Sequence, residues 1–555
     1  MVTLNLLLAF TIVATASASP VSTQSLKVPT IDPQDILCQL PIVKKFLCPR
    51  KGSNALTIPT TIGVARGTAD PSGASRFTVK YASANRWAPS TLVSTWALPT
   101  GSVDETTLPL ACPQPGVDSS AYIEDCLSII LYVPPGLTVA SNVPTLVWLH
   151  GGSFIVGSAT APGLDGSKLA VATNSIVAVV QYRLGALGFL SPDGTTNLAV
   201  KDVINALQFL KKHAPAFGGT ASKITLAGQS SGANMVRALL ATPSASSLFN
   251  SAILQSDPMN YGFLASTTQQ ALQSNFNGLI NCGATNKTCW NALSLNAILN
   301  AQDTLFYTAV DIDPSTGNAQ PIRPVRDGSL ITSPLDSTAA FPSVNKPILV
   351  TSVLHEAGFA IYGQFSQPLP GDWLAPVCAA TFGPTRANII LSSAYYPLAP
   401  AVGGVDDARP QLQTIGTDYL WKCSGWTFSR NWVQHGGSAY VGEFQVGSSY
   451  AGNDAVPFCT QAGKVCHQDD IEIVFGTVSS PNTAQAALII EIQKRYKAFL
   501  TNGNPNVAGL PTWTAATPSN VHALKLGGSG EATVGACDSS FWGQAAQYDY
   551  QVYGI

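Results

Sequence analysis

Charge is scarce in this chain. Asp, Glu, Lys and Arg make up 11% of its 555 residues, and the formal net charge is −2. Binding to nucleic acid needs a basic field, and with none present no nucleic-acid partner is expected. Histidine is rare as well, with six residues, and no Cys-x-x-Cys pair occurs among the eleven cysteines. Metal ligation therefore stands as the weaker reading of the cysteines, and disulfide pairing as the stronger. Beyond the N-terminus no apolar run approaches the roughly 20 residues that span a bilayer, so no stable membrane insertion is expected. Internal repeats and long low-complexity linkers are also missing.

What the chain does have is hydrophobic material, 46% of its residues. That is enough to bury a large core and unlike the composition of a disordered chain. Leu4 to Val13 is apolar and is followed by Ala16-Ser17-Ala18, a small-x-small pattern. Residues 1–18 are read as an export signal, the run being short for a membrane anchor. Residues 19–555 are then one domain of a secreted, extracellular protein. The cysteines fall into close pairs, Cys38/Cys48, Cys112/Cys126, Cys282/Cys289 and Cys459/Cys466. Cys378 with Cys423 is a further candidate pair, which leaves Cys537 over. The sequon Asn286-Lys287-Thr288 lies inside the short Cys282–Cys289 interval, which would hold a glycan at the surface.

Strand-length and helix-length signals alternate through the middle of the chain. Val143 to Leu149, Ser175 to Tyr182, Ile224 to Ala227, Lys346 to Leu354 and Ala439 to Phe444 read as strands. Several are continuously apolar, as strands buried on both faces are. Leu198 to Lys212, Ala233 to Leu240 and Ala484 to Leu500 read as helices, the last stopped at Asn502-Gly503-Asn504-Pro505. The expected class is α/β, a mostly parallel central sheet with helices on both faces and large insertions.

Gly228-Gln229-Ser230-Ser231-Gly232 matches Gly-x-Ser-x-Gly between a strand and a helix, the setting of a nucleophile elbow. An ordinary glycine-rich turn is the competing reading of the motif taken alone. A serine hydroxyl needs a base, and His435, His467 and His522 all follow Ser230. His467 is favoured because a Cys459–Cys466 bridge would fix the loop just before it. Glu356, directly after the strand ending at Leu354, is the candidate acid. His150-Gly151-Gly152-Ser153-Phe154 follows another strand and offers backbone N–H groups for an oxyanion. Gly152 and Ser153 would donate there, together with Ser231 at the start of the next helix. A phosphate-binding loop is the rival, but its Gly-Lys-Ser/Thr ending is missing.

Taken in order along the chain, these motifs resemble the type-B carboxylesterase/lipase family, which includes the cholinesterases. The likeness runs from about Ile62 to Trp542. It takes in Glu124-Asp125-Cys126-Leu127, the His150 loop, Gln181-Tyr-Arg-Leu-Gly185, Phe217-Gly-Gly219, Glu356-Ala-Gly-Phe359, Cys466-His467 and Val474-Phe-Gly476. The resemblance implies an α/β-hydrolase fold, a Ser230–Glu356–His467 triad, oxyanion donors Gly152, Ser153 and Ser231, and disulfides Cys112–Cys126 and Cys282–Cys289. It also implies hydrolysis of a small-molecule or lipid ester without metal or cofactor. Lipases of the family carry a long lid in the first disulfide loop, and cholinesterases a tryptophan there. Only Pro113 to Asp125 lies between Cys112 and Cys126, without a tryptophan. A general carboxylesterase is therefore favoured over a triacylglycerol lipase or sterol esterase. A catalytically silent binding or adhesion member is the reading from another class, disfavoured because all three triad residues are present.

The sequence departs from the family at Gln229, usually Glu, and at Ser231, usually Ala. A negative charge beside the imidazole favours its protonated form. Gln229→Glu should therefore move the acid limb of the pH profile of kcat/KM to higher pH, and an unshifted profile would refute that.

Overall fold

The computed structural model describes residues 56–317, 320–336, 341–342, 344–398 and 406–542. Residues 1–18, Cys38 and Cys48 lie outside that set. A ten-stranded sheet runs through the molecule. Its strands are β1 (Thr68–Ala69), β2 (Ser75–Lys80), β3 (Ser128–Val133), β4 (Val143–Leu149), β5 (Ile176–Val180), β6 (Gly219–Gln229), β7 (Ser251–Gln255), β8 (Pro347–Val353), β9 (Ser438–Phe444) and β10 (Leu524–Leu526). Across the sheet they lie in the order β10-β9-β8-β7-β6-β4-β5-β3-β2-β1. Every pairing from β10 to β5 is parallel, and the β5–β3, β3–β2 and β2–β1 pairings are antiparallel.

The central strands β4, β5 and β7 are buried at every position because both faces are covered. Within β4, Val147 and Leu149 point into one core, and Leu146 and Trp148 into the other. Helices α2 (Leu198–His213), α3 (Ser231–Leu240) and α5 (Cys423–Gln434) close the first face with Leu207, Met235 and Trp426. The opposite face is closed by α1 (Ser167–Thr173), α6 (Ile471–Phe475) and α7 (Thr483–Asn502) through Leu169, Phe475 and Ile492. The start of α7 is fixed by a capping box, in which Asn482 Oδ1 accepts from Gln485 N and Gln485 Oε1 from Asn482 N. Its end is set by Gly503 in the left-handed region, φ 77°. Helix α4 (Arg409–Thr417) continues through one π-helical turn, Asp418–Lys422, directly into α5.

Four disulfides are formed among the described residues, Cys112–Cys126, Cys282–Cys289, Cys459–Cys466 and Cys423–Cys537. The candidate pairing of Cys378 with Cys423, one of those the sequence leaves open, is not made. Cys378 is a buried free thiol, and Cys423 at the start of α5 joins Cys537 with Cα atoms 4.6 Å apart. Nearness in sequence favoured Cys378, whereas the fold brings the C-terminal segment back across α5. In the Cys282–Cys289 loop Asn286 is exposed and caps the helix Lys287–Ala292, its Oδ1 accepting from Cys289 N at 3.0 Å.

Two buried ion pairs tie helices to strand ends. Arg237 of α3 bonds Asp257 beyond β7, and Arg183 beyond β5 bonds both oxygens of Asp202 on α2, Nε and Nη2 at 2.7 Å. Removing one partner of such a pair strands a charge in a low-dielectric interior. Asp202→Asn should cost about 3–5 kcal/mol of stability, read as a lower urea midpoint with an unchanged slope; an unmoved midpoint would count against the pair as a tether.

Candidate active site

Strand β6 ends at Gln229, and α3 begins at Ser231. Ser230 lies between them at φ 57°, ψ −128°, a backbone conformation that side chains rarely tolerate. Neither flanking glycine has a positive φ; both are required by space. A Cβ on Gly228 would lie 2.5 Å from the Gly232 backbone. One on Gly232 would run into the carbonyl oxygen of Leu149 at the end of β4. Strand, turn and helix therefore converge on one point. Ser230 N–H donates to Gln255 O of the neighbouring strand at 2.9 Å, which fixes the turn to the sheet.

Glu356 follows β8, where it was expected. Its carboxylate is fully buried; Oε1 accepts from Val353 N at 2.8 Å, and Oε2 lies 2.6 Å from His467 Nδ1. A carboxylate only accepts, so Nδ1 carries the hydrogen of this pair. Two links hold the histidine loop there. His355 N donates to Val465 O at 2.9 Å, and Cys466 is joined to Cys459. Buried Asp469 ties the loop further, accepting from Cys466 N at 2.6 Å and Tyr450 N at 2.9 Å. Its burial outweighs these donors and pushes its carboxyl up to about 7. His435 and His522 are elsewhere, His435 capping α5 against Asn431 O and His522 paired with Glu531.

The His150 loop packs over the elbow. Gly152 has φ +117° and no room for a side chain beside Val156 O, and Ser153 and Phe154 follow with φ 52° and 63°. The N–H groups of Gly152, Ser153 and Ser231 meet no acceptor among the described residues. The next donor, Phe154 N–H, is taken by Ser231 Oγ at 3.2 Å. Thus the departure from alanine at Ser231 has a structural role, pinning the loop to the first turn of α3. His150 itself is buried, stacked on Tyr182 with ring centroids 4.6 Å apart, and burial pushes it down to about 4. It is a neutral structural group.

Gln229 is fully buried, and its Nε2 stands 3.3 Å from His467 Nε2. The amide thus faces the second imidazole nitrogen, at the position where the family resemblance implies a carboxylate. Two neighbours were not legible in the sequence. Asp470 is fully buried, accepts from Gln255 Nε2 at 2.5 Å, and is pushed up to about 7 by burial and then by Glu356. Trp421, on the π-helical turn, lays its indole 5.3 Å from the His467 ring. Only the position of Asp470 three residues after His467 could have drawn attention to it. Nothing distinguishes Trp421 among ten tryptophans.

Comparison with known proteins gives the same frame. The chain is 31% identical over 401 residues to the cAMP-regulated D2 protein of Dictyostelium discoideum, covering 71% of this chain and 72% of that one. It is 29% identical over 411 residues to mouse (Mus musculus) liver carboxylesterase 1, covering 71% and 72%. A solved PNB esterase superposes with a TM-score of 0.68 at 23% identity, covering 85% of this chain and 95% of that one, and supports the fold. The model of the carboxylesterase family matches residues 55–542. With a match of that extent, the chain belongs to the carboxylesterase family.

Proposed function

We propose that the protein hydrolyses carboxylic esters through an acyl-enzyme on Ser230. The observation that supports this most is the buried Glu356 carboxylate holding His467 Nδ1 at 2.6 Å, with Gln229, the residue before the strained Ser230, 3.3 Å from the other nitrogen of the same imidazole. Burying a carboxylate is costly unless it is paired and hydrogen-bonded, and here its partner is an imidazole. In the proposed cycle His467 Nε2 takes the proton of Ser230 as Oγ attacks the ester carbonyl. Glu356 holds the tautomer and stabilises the imidazolium. The free N–H groups of Gly152, Ser153 and Ser231 stabilise the oxyanion, and they need no reorganisation because the loop is already pinned. His467 then protonates the departing alcohol, and water repeats the sequence on the acyl-enzyme. Neither metal nor cofactor has a part in these steps.

The substrate we assign is a small-molecule or lipid ester, with a general carboxylesterase preferred to a lipase. The short Pro113–Asp125 loop supports this, being too brief for a large lid. Residues 1–18 act as an export signal in this reading, with residues 19–555 forming one domain that works outside the cell and carries a glycan on Asn286. Four disulfides suit an oxidising compartment, and no helix among the described residues is long and apolar enough to cross a membrane.

Ser230→Ala should abolish ester hydrolysis and covalent labelling by an organophosphate while leaving the melting temperature within a few degrees of wild type; an unlabelled wild type would instead favour a silent binding role. On a panel of p-nitrophenyl esters, kcat/KM should be highest for short acyl chains and show no jump as substrate passes its solubility limit. A jump there would favour the lipase reading.

A further inference from the structure

The π-helical turn Asp418–Lys422 interrupts an otherwise continuous helix from α4 to α5. Such one-turn insertions are uncommon and cluster at functional sites, because the extra residue swings one side chain out of the helical pattern. Here four of its five residues are tied to segments outside the helix. Asp418 accepts from Tyr396 OH at 2.9 Å, and Lys422 pairs with Glu443 at 2.8 Å. The carbonyls of Tyr419 and Leu420 accept from Asn260, from its side-chain Nδ2 at 2.9 Å and its backbone N at 3.4 Å. The fifth, Trp421, is the residue turned toward His467. It is buried with 4% of its surface exposed, and its indole Nε1 has no hydrogen-bond partner among the described residues. Asn260 Oδ1, on the segment that holds the turn, is likewise buried without a partner.

A buried N–H without an acceptor is costly, and most buried tryptophans find one. Trp96, Trp148 and Trp426 also lack an indole acceptor among the described residues, and of these four Trp421 is the one whose ring lies against His467. We propose that Trp421 is a specificity-determining residue whose indole N–H donates to an acceptor oxygen carried by the substrate beside its scissile ester. The chemical class favoured is an ester bearing an ether, hydroxyl or second carbonyl oxygen close to the reacting carbonyl. The inference rests on the ester-hydrolase reading and deepens it.

Two isosteric substrate pairs separate the sides of the ester. Methoxyacetate against butyrate, both as p-nitrophenyl esters, places the oxygen in the acyl part. The 2-methoxyethyl against the butyl ester of butyric acid places it in the alcohol part. Each ratio of kcat/KM is divided by the ratio for hydroxide-catalysed hydrolysis, which removes intrinsic reactivity, and active sites are counted by organophosphate titration. The wild-type ratio should exceed one in at least one series. Trp421→Phe, which keeps the ring and removes the donor, should lower that ratio about five- to tenfold, the worth of one hydrogen bond; the ratio is the readout because a change of ring against His467 acts on both members of a pair alike. A ratio unchanged by the substitution in both series would overturn the proposal. Should the variant fail to fold, a normalised wild-type ratio of one or less in both series overturns it equally. A wild type that hydrolyses no member of either pair would overturn the ester-hydrolase reading itself, and this inference with it.

Discussion

Everything at the site depends on how closely the first turn of α3 approaches the end of β4. Gly232 lies against the Leu149 carbonyl with no room for a methyl group, and Gly228 and Gly232 face each other at the same crossing. That single close approach brings together three things. The helix N-terminus with its free Ser231 N–H, the strained Ser230 and the glycine-rich loop leaving β4 all meet within one backbone crossing. A side chain at either glycine would push the helix off the strand and separate Ser230 from the N–H groups of the Gly152 loop. The strain at Ser230 is sustained by its surroundings, including the Gln255 carbonyl that holds its N–H.

The other half of the site is assembled across long stretches of sequence. Glu356 and His467 are 111 positions apart and meet because β8 and the loop after β9 emerge on the same edge of a parallel sheet. Parallel strands put all their C-terminal ends on one side, and in open α/β sheets binding sites form there. The short bridge between His355 and Cys466, the Cys459–Cys466 disulfide and the buried Asp469 carboxylate then hold the loop to the sheet. Rigid backing of this kind keeps the Glu356–His467 hydrogen bond short without help from a ligand.

Much of this was legible in the sequence because it is written in local patterns. The run Val143 to Leu149 has the continuous apolarity of a strand covered on both sides, and its bounds coincide with β4. The stop at Asn502-Gly503 ended α7 for the capping reason that sequence chemistry supplies. The five-residue strand β7 gave too short an apolar signal to separate from its neighbours, although it lies at the centre of the sheet and anchors Ser230. Other features depend on contacts between distant segments. Cys537 reaches Cys423 only once the C-terminal segment has folded back, and no spacing rule anticipates that. Trp421 reaches His467 only because a helix carries one extra residue in a turn, a backbone irregularity with no composition signal. Ser231 could be marked as unusual, but the role of its hydroxyl, holding Phe154 N–H, is visible only in three dimensions.

Asn286 caps a helix and is also the asparagine of the sequon, and an amide can separate those two tasks by atom. Its oxygen starts a helix by accepting from Cys289 N, and the side chain stays exposed inside a disulfide-closed loop. Sugar attached to an asparagine is carried on the nitrogen, and the oxygen keeps its lone pairs. The loop could thus be decorated and folded in either order, since the carbohydrate would occupy one end of the amide while the helix start is held by the other.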